Sequence, residues 1–572
     1  SQGMLVEPEE FDNIILRTGE HSDAAIVRVG DVGYSALGSK NYSIASRVNG
    51  KIASHLVVYQ QPGANAIATS SRVRALLEEL SPGVPQGLTY DIVLDTSKFT
   101  EASIEKVIHT FFEAVFLVVL VVYLFLQSFR ATIIPVIAVP VAIIGAYIGI
   151  YALGFSTNML TLFGMILAIG LVVDDAIIVV EAVEHKMATE GLSPREAAKS
   201  AMSELTGALV SIVLVLSSVF LPVAFLGGMT GTLYKQFAIT IAISMAISGI
   251  VALTLSPALA ALILKPGSHE KKGFFLWFEN GFARVTDLYI VGVRWLIHHR
   301  VIGVGLFLAA VAGVVFMFRI VPGSFVPEED QGYLFGVTMM PDASSLERTT
   351  GANDQATERM RKNPAVEAVA QIDGYSIIDS QYRTNAGLLF VPLKPFEERQ
   401  EDGMSSFDVL KDSRTVLGGI SDGMLFAINP PSIPGLGTTG GFEFYIQDRS
   451  GGSPVALEGI VRKFVQAASQ RPELTGVQTT FSATERQLFL DLDRARAELL
   501  KVPVQDVFNT LQAYFGSLYV SQFTDFGRIW QVIIQSEPEY RDDPADLATI
   551  YLRSQTGERV PLSAVATARY IA

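Results

Sequence analysis

Six runs of apolar residues, at about 108–127, 134–153, 159–181, 205–226, 237–264 and 301–320, constrain this chain more than any other feature. Each approaches or exceeds the ~20 residues needed to cross the hydrocarbon of a bilayer. Inside hydrocarbon every backbone N–H and C=O has to be satisfied within the segment, so such runs are expected as helices. At 49% hydrophobic residues over 572 positions, and a mean hydropathy of +0.37, the chain is too apolar for an ordinary soluble enzyme. The flanks, 1–100 and 325–572, read as water-soluble. There is no cysteine, which excludes disulfides, a thiolate nucleophile and cysteine-based zinc sites. The net charge of −14 argues against a nucleic-acid partner. The opening SQGMLVEPEEF has neither a starting Met nor a basic-then-apolar leader, so the chain is expected to begin inside a longer protein.

Asp174 and Asp175 lie within the third run, MLTLFGMILAIGLVVDDAIIVVE, with Ile177, Ile178, Val179 and Val180 continuing it beyond them. A carboxylate near mid-membrane costs at least ~2.5 kcal/mol on insertion scales, so two in a row need a reason other than packing. The reason expected is movement of protons, with the carboxyls changing protonation state or meeting a cation from another helix. No Lys or Arg lies deep in the other five runs. Neighbouring helical residues point 100° apart; the two carboxyls are therefore expected to share a pocket without aiming at one spot, and to titrate as a coupled pair.

Loop charge sets the orientation. Arg130, Lys186, Arg195, Lys199, Lys265, Lys271, Lys272, Arg284, Arg294 and Arg300 fall on one side, against Lys235 alone on the other. The cation-rich side is expected in the cytoplasm, with both flanks facing outward. The stretch 273–300, with Phe274, Phe275, Trp277, Phe278 and Phe282 among basic residues, reads as an amphipathic helix on the cytoplasmic membrane surface. Gly145 and Gly149, four apart, read as a close helix contact, and Gly164 and Gly170 as packing residues.

The soluble flanks alternate strand and helix. YLFGVTMM (333–340), a helix at 345–363, AVEAVAQIDGY (365–375), LLFVPL (388–393), a helix near 405–417 and MLFAI (424–428) give strand–helix–strand twice, the split form of ferredoxin-like sandwiches. FEFYIQ (442–447), a helix at 454–471 and a strand near 475–481 start another unit. HLVVYQQ (55–61), a helix at 64–80 and LTYDIVLD (88–95) read the same way. Residues 11–32 and 547–565 are an internal repeat: strand, glycine-containing turn, strand, small residue, Val. The glycine-rich NPPSIPGLGTTGG (429–441) lacks a Lys-Ser/Thr ending and a following helix, so it is not read as a phosphate cradle.

The segments FLQSFRATIIPVIAVPVAIIGAY, LTLFGMILAIGLVVDDAIIVVE, FLPVAFLGGMTGTLYKQFAITI and FVPEEDQGYLFGVTMMP, in that order, resemble the resistance-nodulation-division (RND) multidrug efflux transporters, hydrophobe/amphiphile branch. The heavy-metal branch carries a different acidic pattern on the aspartate helix. The resemblance covers the whole chain. It implies an α+β membrane protein: a six-helix transmembrane block, half of a twelve-span fold, with periplasmic ferredoxin-like porter subdomains and docking subdomains. The divisions implied are 1–37, end of a docking subdomain; 38–100, end of a porter subdomain; 101–321, the membrane block; 322–436, a porter subdomain; 437–477, the start of the next; and 478–572, the second docking subdomain.

The implied activity is drug/proton antiport as the inner-membrane component of a tripartite pump. Its implied partners are two further copies in a homotrimer, a periplasmic adaptor, an outer-membrane channel, small-molecule drugs and the bilayer. No metal or organic cofactor is implied, only protons as coupling ion. Asp174 and Asp175 would translocate the proton. Substrate contacts would come from Tyr375, Ile377 and Phe390 in and beside the loop 373–387, and from Phe335, Val337, Met339, Ile372 and Phe426 on neighbouring strands. Ala370 stands where the family has a further pocket Phe, and the loop carries Asp379 and Arg383, so this pocket is expected to be less phenylalanine-rich and more polar. Two other readings remain open on residues alone: a relative moving a dedicated lipid or other cargo, and a membrane sensor without transport.

Overall fold

A computed structural model describes residues 4–18, 26–39, 41–61, 63–265, 273–321, 323, 327–432, 444–474, 476–483 and 487–571. Two compact units form: Tyr59–Tyr90 with Asp95–Phe325, and Ser1–Val58 with Asp91–Leu94 and Val326–Ala572.

The first unit is helical. Its long helices are α1 (Ser97–Leu126), α2 (Phe129–Ala152), α3 (Met159–Glu190), α4 (Pro194–Phe220), α5 (Gly228–Ile263), α6 (Phe274–His298) and α7 (Arg300–Ile320). All but α6 give segments long and apolar enough to cross a membrane. The boundaries follow local chemistry. Ser128 caps α2, Asn158 caps α3, and Ser193 caps α4 in a box with Glu196 ahead of Pro194. Gly191, at φ +67°, stops α3 in the left-handed conformation. α3 lies against α2 and α5, and the small apolar residues Ala138, Ala176 and Val251 meet there. A Cβ on Gly145 or Gly149 would lie 2.8 Å from Ile247 or 2.6 Å from Ile243, so these two glycines do set the α2–α5 approach. Gly164 packs against Phe237 and Thr240, whereas Gly170 has nothing within 4 Å among the described residues and is not a packing residue there. The aromatic start of α6 meets the end of α1, with Tyr123–Phe275 at 5.7 Å and Phe125–Phe278 at 5.5 Å, while Phe274 and Trp277 stay exposed.

In the second unit one antiparallel sheet organises the centre. Its strands are β1 (Ala45–Val48), β2 (Lys51–Ile52), β3 (Tyr333–Met339), β4 (Ala370–Ser376), β5 (Gln381–Pro392) and β6 (Met424–Ile428), in the order β2-β1-β4-β5-β3-β6. With α8 (Leu346–Met360) after β3 and α9 (Ser406–Gly418) after β5, the last four strands form the expected split strand–helix–strand pair. β1 pairs with β4 from Ala45↔Asp373 to Val48↔Ala370, so a segment more than three hundred residues away in sequence extends the same sheet. Leu334, Leu389, Val391 and Leu425 face α8 and α9, packing with Ala356, Met360, Val409 and Leu417.

The repeat takes the same form twice. Ile15–Arg17 pairs Val27–Arg28 and Tyr551–Arg553 pairs Arg559–Pro561; each hairpin runs into a 3-10 turn, Val29–Asp31 or Leu562–Ala564. The turns are tied back alike, Val29 N to Ile14 O and Leu562 N to Ile550 O. Four expected strands are corrected. HLVVYQQ, LTYDIVLD, the described part of FEFYIQ (444–447) and 476–481 are not strands. A strand needs a ladder with a neighbouring strand, and HLVVYQQ and LTYDIVLD have none among the described residues; Leu56 and Tyr59 are both 85% exposed.

Asp330 fastens the approach to β3. Its carboxylate takes Arg399 Nη1 at 2.8 Å and Nη2 at 3.2 Å, Ser406 N at 2.7 Å and Gly332 N at 2.9 Å. Burial pushes this carboxyl up, but the guanidinium and backbone donors outweigh it and hold it below the usual carboxylate range. The Arg399 side chain is 2% exposed, so Arg399→Ala leaves Asp330 with an unmet charge. The expected cost is about 3–5 kcal/mol, read as a lowered midpoint of thermal unfolding. Because the folded carboxyl is depressed, the stability it contributes is present above its ordinary value of 3.8 and is lost as pH falls through the lower, folded value. The gap between acid melts of wild type and Arg399→Ala should narrow below that point, leaving the share due to the Arg399 bonds to the Lys394 and Met404 carbonyls.

Candidate functional site

α3 is a continuous helix through both aspartates. Its burial follows the helical period: Phe163, Leu167, Gly170, Asp174, Ile178 and Glu181 fall on one exposed stripe, and the residues between them turn inward. The two carboxyls therefore have different surroundings. Asp175 is 2% exposed and turned toward α5, where the Ser248 hydroxyl donates to its Oδ2 at 2.7 Å and lies 3.4 Å from the Val172 carbonyl. Asp174 lies on the open stripe. Among the described residues no Lys, Arg or His forms an ion pair with either.

Reading the sequence missed Ser248. A serine in a span is ordinary, and only the α3–α5 register sets it beside Asp175. A signal was nonetheless present: Thr240, Ser244 and Ser248 recur at four-residue spacing on α5, and all three are buried. At the head of the α3–α5 pair, Asn158 Nδ2 donates to Gln236 Oε1 at 2.5 Å.

The expected substrate contacts on strands share one sheet face. Residues directly opposite in a ladder point the same way, and Phe335↔Phe390, Val337↔Leu388, Val337↔Phe426, Ile372↔Leu388 and Met339↔Met424 are opposite pairs. Phe335, Val337, Met339, Ile372, Phe390 and Phe426 thus all lie on the face away from α8 and α9. The Phe335 and Phe390 rings meet edge-to-face at 5.5 Å. All six are half-buried except Val337, which is buried. Tyr375 and Ile377 stand apart from this row. They lie beyond a register shift after Asp373, at the hairpin end, where Tyr375 faces Tyr382 with ring centroids 5.5 Å apart. The same hairpin end holds an ion pair, Arg383 Nη2 to Asp379 Oδ2 at 3.1 Å, which makes it polar. Most of the glycine-rich stretch 429–441 lies outside the described residues.

A family profile described as the AcrB/AcrD/AcrF family matches residues 1–571. The chain belongs to this family of RND multidrug efflux transporters. It is 42% identical over its whole length to the multidrug export protein AcrF of Escherichia coli K12, covering 56% of that protein. It is 41% identical over 98% of its length to the toluene efflux pump membrane transporter TtgB of Pseudomonas putida, covering 54% of that one. Multidrug resistance protein MdtF of Escherichia coli O157:H7 matches at 37% identity over the whole chain and 55% of the relative. The chain therefore spans about half the length of the curated relatives it matches. The family and these relatives are efflux transporters and not enzymes.

The Ser248–Asp175 bond gives a direct test of the α3–α5 register. Ser248→Ala deprives a buried carboxyl of its donor, with an expected loss of about 1–3 kcal/mol. Ser248→Thr keeps the hydroxyl and should recover most of it. Thermal unfolding of the two variants in the same detergent measures the difference.

Proposed function

We propose that this chain is part of a proton-driven exporter of hydrophobic and amphiphilic compounds, such as antibiotics, dyes and detergents, in the bacterial inner membrane. The observation that carries the reading is Asp175: a carboxyl buried mid-helix in an apolar span, taking the Ser248 hydroxyl at 2.7 Å with no cation paired to it among the described residues. A group in that position is suited to taking up and releasing a proton. Asp174 faces the open stripe of α3, where a cation on a further helix would meet it. In this reading the pair forms the coupling site, and a second set of spans elsewhere in the protein supplies the cation.

The remaining assignments follow the same reading. The six apolar helices form half of a twelve-span block, and α6 lies along its cytoplasmic surface. Residues 38–100, 322–436 and 437–477 belong to periplasmic porter subdomains, and 1–37 and 478–572 to docking subdomains. The protein works as a homotrimer with a periplasmic adaptor and an outer-membrane channel. Drug is held on the Phe335–Phe390–Phe426 face and by Tyr375 and Ile377 of the loop, with protons as the only coupling agent. Solvent and multidrug export by relatives such as TtgB and AcrF supports an apolar substrate range. Energetically the coupling is adequate: one charge crossing ~100 mV yields ~2.3 kcal/mol. That sustains roughly a fiftyfold gradient of a neutral compound, since ~1.4 kcal/mol is tenfold.

The test is proton-coupled dye efflux from vesicles holding the full-length protein. Asp174→Asn and Asp175→Asn are each expected to abolish efflux while leaving folding and assembly intact. Undiminished efflux in both variants would remove the coupling role. Phe390→Ala is expected to raise the KM for bulky aromatic dyes severalfold with proton coupling unchanged, read from the same vesicles.

A further inference from the structure

Between the aromatic sheet face and the loop that ends it lies a buried acid that the export mechanism does not use. Asp373 is fully buried on the helix side of β4, one residue after Ile372. It is the last residue of the regular β4–β5 ladder, opposite Gly387. Asn353 of α8 donates from Nδ2 to Asp373 Oδ1 and accepts at Oδ1 from Thr338 of β3 at 2.5 Å. Gln371 Nε2 lies 3.5 Å from Asp373 Oδ2 and donates to Asp354 at 2.8 Å.

Two glycines show how tightly this point is built. A Cβ on Gly387 would sit 2.2 Å from Asn353 Nδ2, so the amide occupies the space where a side chain would stand. Gly374 has φ +88°, and a Cβ there would meet the Ser43 carbonyl at 2.0 Å. The chain therefore turns out of the ladder at Gly374, directly after the side chain that ties it to α8. Residues 375–383, including the Asp379–Arg383 pair, run from that joint to a second anchor, where Thr349 of α8 donates to the Thr384 carbonyl at 2.6 Å and Ala386 pairs with Met339 of β3.

We propose that Asp373 is a positioning residue for the substrate loop, holding its base to α8 when protonated and releasing it when ionised. The inference rests on the export reading only for what the loop contacts. The surroundings supply the asymmetry. The ionisable groups around Asp373 are Asp354 on α8 and Arg47 on β1. Arg47 Nε is directed to Asp354 at 3.8 Å, and the neighbours of Asp373 from α8, β3 and β4 are the neutral Thr350, Asn353, Thr338 and Gln371. β5 presents only the backbone of Gly387 here. An ionised Asp373 would thus be a buried charge beside a second carboxylate, with no cation on it among the described residues. Burial, and to a lesser degree Asp354, push its carboxyl above the usual range, against the pull of the Asn353, Thr350 and Gln371 hydrogen bonds. For an acid raised on folding, the stabilisation is complete below the unfolded value and fades as pH rises through the folded one.

Hydrogen exchange of residues 374–383 in the full-length protein, in nanodiscs across pH 5 to 8 and corrected for the intrinsic rate, tests this. Opening of the loop should increase with pH, by up to about tenfold per unit from the ordinary carboxyl value up to the raised Asp373 midpoint, and level off above it. Asp373→Asn should flatten the profile while keeping the loop protected. Parallel efflux assays should then show a KM for dye that varies with pH in wild type and not in Asp373→Asn. A flat wild-type exchange profile, or an unchanged slope in Asp373→Asn, overturns the proposal, whether or not that variant transports. Loss of dye efflux in wild type would instead count against the export reading, since the exchange measurement needs no transport.

Discussion

A carboxyl buried among apolar helices is the constraint on which the rest of the helical unit depends. The apolar residues around Asp175 leave it almost no water, and it sets what the helices must then provide: a polar partner at one level and one angle. Ser248 supplies it, and it can do so only if α3 and α5 keep a single register. Gly145 and Gly149 let α5 close against α2 on its other side, where any side chain would hold the helices apart. The small residues Ala138 and Ala176 serve the same closeness. The apolar packing thus fixes a geometry, and the polar pair uses it.

The soluble unit solves a related problem by parity. In a strand successive side chains point to opposite faces, so one face of β3, β5 and β6 can be committed to the core while the other stays available. Leu334, Leu389, Val391 and Leu425 take the first role against α8 and α9. Phe335, Phe390, Val337 and Phe426 are left on the second, gathered by cross-strand pairing and not by sequence proximity. The aromatic row is therefore a consequence of register. A one-residue slip of β5 would exchange Phe390 for Leu389 and lose both the core and the row.

What was legible in the sequence follows the same logic. The long apolar helices could be read because a run of some twenty apolar residues has few other uses, and the Asp pair stands out because it breaks that rule. The split strand–helix–strand order was legible from alternating periods, and the repeat from two hairpins that begin and end alike. HLVVYQQ and LTYDIVLD misled because β-propensity describes a residue's fitness for a sheet and says nothing of whether a neighbour is there to complete it. Asn353 and Asp373 were not legible, and Ser248 only as one of three polar residues at four-residue spacing on α5. Each is an ordinary polar residue whose meaning lies in what a distant segment brings beside it, 73 residues away for Ser248 and Asp175 and 20 for Asn353 and Asp373.

The choice of partner for each buried acid carries information about its use. A lysine or arginine on Asp175 would lock the charge in place, since separating a buried ion pair costs about 3–5 kcal/mol. That is more than the ~2.3 kcal/mol that one proton gains across ~100 mV. A serine hydroxyl can donate to a carboxylate and can equally accept from a carboxylic acid, so its bond survives both protonation states. The Asp175–Ser248 contact is thus compatible with a cycle that a permanent ion pair would arrest. Asn353 differs: its carbonyl oxygen is taken by Thr338, which leaves only its N–H groups for Asp373. That amide donates to Asp373 in either state and cannot receive its proton, so on ionisation the joint is loosened by the cost of a buried charge beside Asp354 and not by loss of the donor. One acid is therefore placed where protonation can change without breaking its bond, and the other where a change of charge is felt by the joint it holds.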